Sequence, residues 1–299
     1  MIKVENLLKE HRKNKNKNIK NVEKLVFDGV GNRDIYNITA PFEFQGETII
    51  AARVEKRDSE LSEIHLFKPV DNRWIPLENS IVLNLQDPFV TVIRDRVVLG
   101  GVEVFFDTDK TSWRTVFYYL NKIDEVEKFF EGPIGMKDLR LKELPNKQIL
   151  VLTRPQGQKG GRGKIGSFVI NSIEELSTSK IDKAPLLNNQ FIAEEWGGAN
   201  ELHIVNNIVV VLSHIANFDA EGNRHYYAML FDLNKDYTAV ENPRIIAERE
   251  DFLPGEAKRA DLEDVVFSGG LIINENVGVL YAGISDAEAQ KIEIRNLFN

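Results

Sequence analysis

The sequence predicts an all-β chain folded as a five-bladed β-propeller with a short N-terminal helical extension. Three observations carry this reading. Helical periodicity is nearly absent after residue 22, where short β-rich runs recur instead: KLVF, TIIAARVE, VVLGGVEVFF, VFYYL, QILVLT, IVVVLSH, YYAMLF, VGVLYAG and KIEI. Turn signals such as Gln45-Gly46, Pro145-Asn146, Asn206-Asn207 and Asn274-Glu275-Asn276 separate the runs. The runs also repeat in a degenerate way. Five units open with a short polar residue, at Asn37, Asp87, Asp138, Asn200 and Asp264, with spacings of 50, 51, 62 and 64 residues. A four-stranded sheet with two apolar faces can cover neither by itself. Arranged radially, each sheet packs on two neighbours and leaves only short edges.

The elements follow in order. Residues 3–11 predict one or two helical turns with Val4, Leu7 and Leu8 as an apolar face. Residues 12–20, RKNKNKNIK, read as a solvated basic connector, so residues 1–21 form the extension and 22–299 the propeller. The run Glu23–Phe27, within 22–30, has no partner in the first unit. It is expected to close the ring as the outer strand of the last blade, beside Lys291–Ile294. The apolar second strands are TIIAARV, RVVLGGV, QILVLTR, IVVVLSH and VGVLYAG. Gly161-Arg162-Gly163-Lys164-Ile165-Gly166 fits G-x-G-x-x-G but runs into the strand Ser167–Ile170, where a dinucleotide site needs a helix. It reads as a hairpin between strands or a lid.

Composition excludes several classes of function. Lys and Arg total 38 against 46 Asp and Glu, a net charge of −8, so neither nucleic acid nor an anionic membrane is an expected partner. The chain has no cysteine, which removes disulfides, thiolate metal sites and a cysteine nucleophile. No apolar run suits a signal peptide or a membrane span, so a cytoplasmic location is expected. His11, His65, His203, His214 and His225 show no metal-binding spacing, and no resident cofactor is expected. No Gly-x-Ser-x-Gly elbow is present, which argues against a serine hydrolase. A blade edge offers a route to a homo-oligomer.

The repeat also predicts a site. First strands line the axis of a propeller, so Asn37, Asp87, Asp138, Asn200 and Asp264 are expected to ring one end of it. Crowded carboxylates repel, and such a ring favours chemistry over stability. Glu194, Glu195, Trp196, Gly197, Gly198, Asn200, Glu201 and His203 crowd the fourth opening. A Trp among acids and amides suits a sugar, whose apolar face stacks on indole while its hydroxyls bond polar groups. Packing between blades is the alternative for Trp196. Basic groups converge as well. Lys137 and Arg140 flank Asp138, Lys258 and Arg259 precede Asp264, and Arg53, Arg154 and His214 end second strands.

The stretches NITAPFEF, RVE, QDPF, KDLRL, TRPQG, EWGGANELH, LSHIANF, RHYYAMLF and DVVFSGGL carry a family resemblance. Beyond about residue 22 the chain resembles the DUF1861 family. More faintly, it is similar to the five-bladed-propeller glycosidases and glycoside phosphorylases, nearest to the β-mannoside phosphorylases and mannosidases of glycoside hydrolase family 130. The resemblance implies a carbohydrate-active protein working on a small, β-mannoside-like oligosaccharide. It implies axial carboxylates as acid, base and pKa modulator, with Asp87, Asp138 and Asp264 at openings and Glu195 or Glu201 as further candidates. The mannoside phosphorylases have Arg after their Asp-Pro, whereas this chain has Phe89. Arg53, Arg140, Arg154 and His214 are placed to bind an anion, either inorganic phosphate as a co-substrate or an acidic sugar.

Glycoside cleavage needs a protonated carboxyl for the leaving oxygen and a second, ionised group on the other side. Carboxylates on separate blades suit the wider separation of an inverting pair, so inversion is expected. On this reading Asp138 or Glu195 is the acid and Asp87 the base or phosphate-side partner. Asp264 orients a sugar hydroxyl or tunes a neighbour. Asn37, Lys137, Trp196, Asn200, Glu201, His203 and Arg259 join the binding set. The rival reading is a non-catalytic propeller that binds a sugar or other ligand.

Overall fold

Continuous apolar runs such as Ile49–Ala52, Ile149–Leu152 and Val209–Leu212 are buried along their whole length. A strand with successive side chains on opposite faces shows this pattern only when both faces are covered. The computed structural model describes residues 1–106 and 111–298. Residues 107–110 and 299 of the expected propeller therefore lie outside the described residues.

The chain begins with helix α1 (Val4–Asn18) and strand β1 (Ile19–Lys24). Blade 1 holds β2 (Asp34–Tyr36), β3 (Phe42–Phe44), β4 (Glu47–Glu55), β5 (Ser62–Val70), β6 (Arg73–Pro76) and β7 (Val82–Leu83). Blade 2 holds β8 (Gln86–Ile93), β9 (Arg96–Phe106), β10 (Thr111–Lys122) and β11 (Glu125–Glu131). Blade 3 has three strands, β12 (Arg140–Glu143), β13 (Ile149–Thr153) and β14 (Gly166–Ile170). Short helices α2 (Gly157–Gly160) and α3 (Thr178–Lys183) flank β14, and the chain at Leu186 bridges its edge at Gly166. Blade 4 holds β15 (Trp196–Val205), β16 (Ile208–Phe218), β17 (Arg224–Leu233) and β18 (Val240–Ala247). Blade 5 is β19 (Val266–Asn274), β20 (Val277–Ile284), β21 (Glu288–Arg295) and β1, joined in the order β1-β21-β20-β19. All strand pairings within the blades are antiparallel. Strands β8, β12, β15 and β19 approach one another around the axis. The fold is a five-bladed β-propeller with an N-terminal helix, as the sequence predicts.

Alternation along each strand builds the core. Five apolar clusters fill the five spaces between blades. Ile49 and Ala51 face blade 2, while Ile50 and Ala52 face blade 5. Val209 and Val211 pack toward blade 3, and Val210 and Leu212 toward blade 5.

The N-terminal segment differs from the expected pair of turns and solvated connector. Helix α1 runs on to Asn18. The reason is tertiary. Ile2, Val4 and Leu8 are buried in the cluster between blades 3 and 4. His11 lies 2.6 Å from Asp251, Arg12 forks onto Glu248, and Lys15 reaches Glu248 and Glu250. These carboxylates neutralise the basic stretch and hold the helix against blade 4. Strand β1 then pairs Ile19 with Ile294 and Lys24 with Gln290. Residues 26–28 continue onto the edge of blade 1 at Trp74. The strand beside β21 is thus 19–24, which meets the expected 23–27 at Glu23 and Lys24 and begins four residues earlier. Its apolar residues decide the register: Ile19 and Val22 pack between blades 4 and 5, and Leu25 and Phe27 between blades 5 and 1. Among the described residues no helix is long and apolar enough to cross a membrane.

The joint between blades 5 and 1 is tight at Gly283. A Cβ there would overlap the Asn37 side chain and lie 2.5 Å from the Asn37 backbone nitrogen. Gly283→Ala is therefore expected to destabilise the fold by about 1–3 kcal/mol, as an overpacked core does. Equilibrium denaturation checks this, and an unshifted midpoint contradicts it.

Candidate active site

The inner strands break their ladders near the axis. Register shifts fall between Gln86 and Phe89 in β8, between Ala199 and Glu201 in β15, and between Ser268 and Gly270 in β19. Each bulge turns a residue toward the axis. Asn37, Asp87 and Asp138 adopt left-handed backbone angles, with φ of 46°, 49° and 61°. Asn and Asp tolerate that region better than other side-chain-bearing residues, which accounts for their recurrence at the openings. In blade 5 the corresponding bulge falls on Gly269, where a Cβ would strike the Ile38 carbonyl. Asp264 lies five residues earlier, half exposed, with its carboxylate 2.9 Å from His225 Nδ1. It does not line the axial cavity, so the fifth member of the expected ring is a glycine.

That cavity is a cup of about 220 Å³. It brings together Asn37, Arg53, Asp87, Lys137, Asp138, Arg154, His214 and Arg259 of the expected site. Tyr226, Arg224, Asp286, Gln86 and Glu60 join them. Sequence reasoning did not select Tyr226, Arg224, Asp286 and Glu60 because they come from a third-strand start, a hairpin turn and a loop, and it passed over Gln86, the neutral neighbour of Asp87 at the second opening.

One half of the cup is built on Arg53. Asp87 Oδ1 accepts hydrogen bonds from Asn37 Nδ2 at 2.7 Å and Arg53 Nη1 at 3.0 Å. Arg53 also donates from Nη2 to Glu55 Oε2 at 2.9 Å and from Nε to Ser62 Oγ at 2.9 Å. Glu55 is fully buried and accepts further bonds from Tyr36, Ser62 and Lys258. Burial pushes the Glu55 carboxyl up, but Arg53 and these donors outweigh it and hold the group below its ordinary range. The RVE motif is thus a buried ionic support for Arg53.

Asp286 enters the same half from the turn between β20 and β21. Ser285 and Asp286 both have positive φ, 54° and 51°. The turn is braced: Ser285 N donates to Val265 O at 2.8 Å, its hydroxyl to Glu263 O at 2.6 Å, and Lys258 N to Ser285 O at 3.0 Å. Burial, opposed by Arg53 and assisted by the charge of Asp87, pushes the Asp286 carboxyl up to about 6.

The other half centres on Asp138, whose Oδ2 lies 3.3 Å from Arg154 Nε. Burial pushes this carboxyl up, but Arg154, Lys137, His214 and Arg140 outweigh it and keep it ionised. Arg154 Nε donates to Gly197 O at 2.8 Å, and Gly163 and Gly198 leave room for its guanidinium. The glycine-rich segment therefore packs on Arg154. His214 is pushed down to about 3 by burial, so its imidazole is neutral. Its Nδ1 is bonded to Asn200 Oδ1 at 2.9 Å, which makes Nδ1 the proton-bearing nitrogen. Asn37 Oδ1, Asp138 Oδ2 and Arg154 Nη1 are buried without a hydrogen-bond partner among the described residues.

The remaining expected residues lie elsewhere. Glu195 Oε1 accepts from Val4 N at 2.8 Å and caps α1. Trp196 is buried, donates to the Tyr226 hydroxyl at 3.0 Å and packs on Phe218 at 4.8 Å, so its face is not open to a sugar. It props Tyr226, which stacks on His214 at 5.5 Å. Asn200 supports His214 from behind. Arg140 lies below the cup, donating to Asn200 O at 2.6 Å with its guanidinium 4.0 Å over the Phe89 ring. Burial pushes Arg140 down to about 10. Phe89 is thus a platform for Arg140, and Gly100 makes room for its ring. Glu201 accepts from Leu271 N at 2.8 Å and lines a cavity farther down the axis, and His203 faces a groove at the opposite end. His11, Glu248 and Asp251 are close enough to hold a metal ion, but Arg12 and Lys15 already neutralise that cluster.

The position of Asp286 carries a test. A carboxyl raised in the folded state stabilises below its unfolded pKa, and that contribution is lost as pH rises through about 6. Asp286→Asn mimics the protonated form. Its stability is expected to match the wild type near pH 4 and exceed it near pH 7.5. Denaturant midpoints across this range check the sign, and a variant less stable at the upper pH contradicts it.

Comparison with solved structures agrees with the fold. The chain is similar to a mannose phosphorylase from Leishmania mexicana in complex with phosphate ion, at 29% identity and TM-score 0.89, covering 98% of this chain and 93% of that one. It is similar to a GDP-Man-dependent mannosyltransferase from the same organism at 27% identity and TM-score 0.88, covering 99% and 95%. A β-1,2-mannobiose phosphorylase from Listeria innocua shares the fold at 16% identity and TM-score 0.63, covering 92% and 97%. No curated protein matches the sequence. Residues 11–299 match the family described as "Protein of unknown function (DUF1861)", and the chain belongs to that family.

Proposed function

We propose that the protein is a carbohydrate-active enzyme, a phosphorylase that moves a mannosyl unit between inorganic phosphate and a small oligosaccharide. The observation that carries this reading is the charge of the axial cup. Arg53, Lys137, Arg154, Arg224 and Arg259 surround Asp87, Asp138, Asp286 and Glu60 in one small cavity. A hydrolase needs carboxylates alone, whereas phosphorolysis adds an anionic nucleophile that guanidinium and ammonium groups must hold. The mannose phosphorylase with bound phosphate, at 29% identity, supports the reading.

In the step proposed, a phosphate oxygen attacks the anomeric carbon from the face opposite the glycosidic oxygen. The C–O bond to that oxygen breaks, its electron pair stays with the oxygen, and a carboxyl supplies the proton. Configuration is inverted. Asp138, kept ionised by Arg154 and Lys137, is not the proton source and is suited to accepting sugar hydroxyls. Glu195 is removed from the cup. The proton is assigned to the pair of Asp87 and Asp286, two carboxyls that share Arg53 and act on each other's charge. Arg154, Lys137, Arg224 and Arg259 hold phosphate, and neutral His214, whose proton is committed to Asn200, accepts a hydrogen bond from a sugar hydroxyl at Nε2.

Turnover of mannose-containing disaccharides is expected only with phosphate present, releasing mannose 1-phosphate. Asp87→Asn and Asp286→Asn are each expected to lower kcat/KM by at least about 100-fold, the scale of general acid catalysis. Chromatography of the products checks this. Release of free mannose without phosphate would make the protein a hydrolase, and binding without turnover across a sugar panel would make it a binding propeller.

A further inference from the structure

A second cavity opens beside the cup, in the groove between blades 1 and 2. It measures about 580 Å³. Its walls are the loop from Lys56 to Leu61 between β4 and β5, the approach to β8 at Asn84–Gln86, and the end of β9 at Val102, Val104 and Phe106. Glu60 and Gln86 line both cavities, so the two adjoin across these side chains.

The loop is fixed from both sides. The Glu60 carboxylate lies 3.0 Å from Lys258 and 3.3 Å from Arg259. Gln86 Nε2 donates to Glu60 O at 3.0 Å, and Lys258 Nζ donates to Ser59 O at 2.8 Å. This anchoring presents Leu61 at the cleft with 72% of its surface exposed, while Phe106 faces the cleft at 49%. Large apolar side chains at this exposure lose contact with water only when something covers them. Apart from the exposed Lys56, the charged side chains of the cleft are paired. Glu63 pairs with Arg33 at 2.5 Å and with His65 at 2.7 Å, and Glu60 pairs as above. A cleft with apolar platforms, mostly paired charges and exposed amide groups such as Asn84 suits a neutral, hydroxyl-rich chain.

We propose that this cleft holds the part of the substrate beyond the transferred unit, a neutral oligosaccharide of at least two further sugars, with Leu61 and Phe106 as its stacking surfaces. The proposal rests on the phosphorylase reading above and extends it to substrate length.

The test runs the reaction in reverse, with mannose 1-phosphate as donor and acceptors of one, two and three mannose units. The wild type is expected to prefer the longer acceptors. In Phe106→Ala and Leu61→Ser the ratio of kcat/KM for the trisaccharide to that for the monosaccharide is expected to fall about tenfold, the size of one lost aromatic contact. Ile208→Ser, which changes a 47% exposed residue at the β15–β16 turn, is expected to keep the wild-type ratio. No preference for length in the wild type, or an unchanged ratio in both cleft variants, overturns the proposal. If no acceptor is used at all, the phosphorylase reading fails, and calorimetric titration with the trisaccharide decides the cleft. Binding weakened about tenfold by Phe106→Ala supports it, and equal or undetectable binding overturns it.

Discussion

Every blade of this protein is apolar on both faces, and that constraint governs the rest of the structure. A strand such as β13 sends Ile149 and Val151 into one inter-blade cluster and Leu150 and Leu152 into the next. No blade can therefore be stable without two neighbours, and the row of sheets must close into a ring. Closure is achieved by β1, which pairs with β21 and then passes to the edge of blade 1. Helix α1 anchors the same end of the chain by filling the space between blades 3 and 4. Once the ring is closed, the inner strands of separate blades must converge, and residues far apart in the chain meet at the axis.

The convergence creates an electrostatic problem that the sequence around the cup resolves. Carboxylates brought together in a partly dry site repel and resist ionisation. Here most are matched by donors: Asp87 by Arg53 and Asn37, Asp138 by Arg154, Glu55 by Arg53, Lys258, Tyr36 and Ser62. Asp286 lacks such a matched donor and holds its proton to a higher pH. The matching gathers five cationic side chains, Arg53, Lys137, Arg154, Arg224 and Arg259, around the same cup as the carboxylates.

Much of the fold is legible in the sequence because burial on both faces leaves a plain mark, a run of apolar residues bounded by turns. The openings at Asn37, Asp87 and Asp138 are legible for a related reason, since a left-handed backbone near the axis favours Asn or Asp. The fifth opening is not, because Gly269 sits against the Ile38 carbonyl and carries no polar side chain to read. Asp264 stands nearby in sequence but faces His225. Asp286, Tyr226 and Glu60 reach the cup from turns and later strands, where the repeat has no fixed register. Trp196 and Glu195 illustrate the opposite error. Their types suit a sugar site, but one props Tyr226 and the other caps α1. Residue type identifies chemistry, while packing decides which residues are free to perform it.

The most direct measurement is a crystal structure of the protein soaked with mannose and inorganic phosphate. The account predicts the sugar in the axial cup, its hydroxyls on Asp138 and its anomeric carbon facing Asp87 and Asp286, with phosphate held by Arg154 and Lys137. Sugar density confined to another surface, with the cup holding neither molecule, would contradict it.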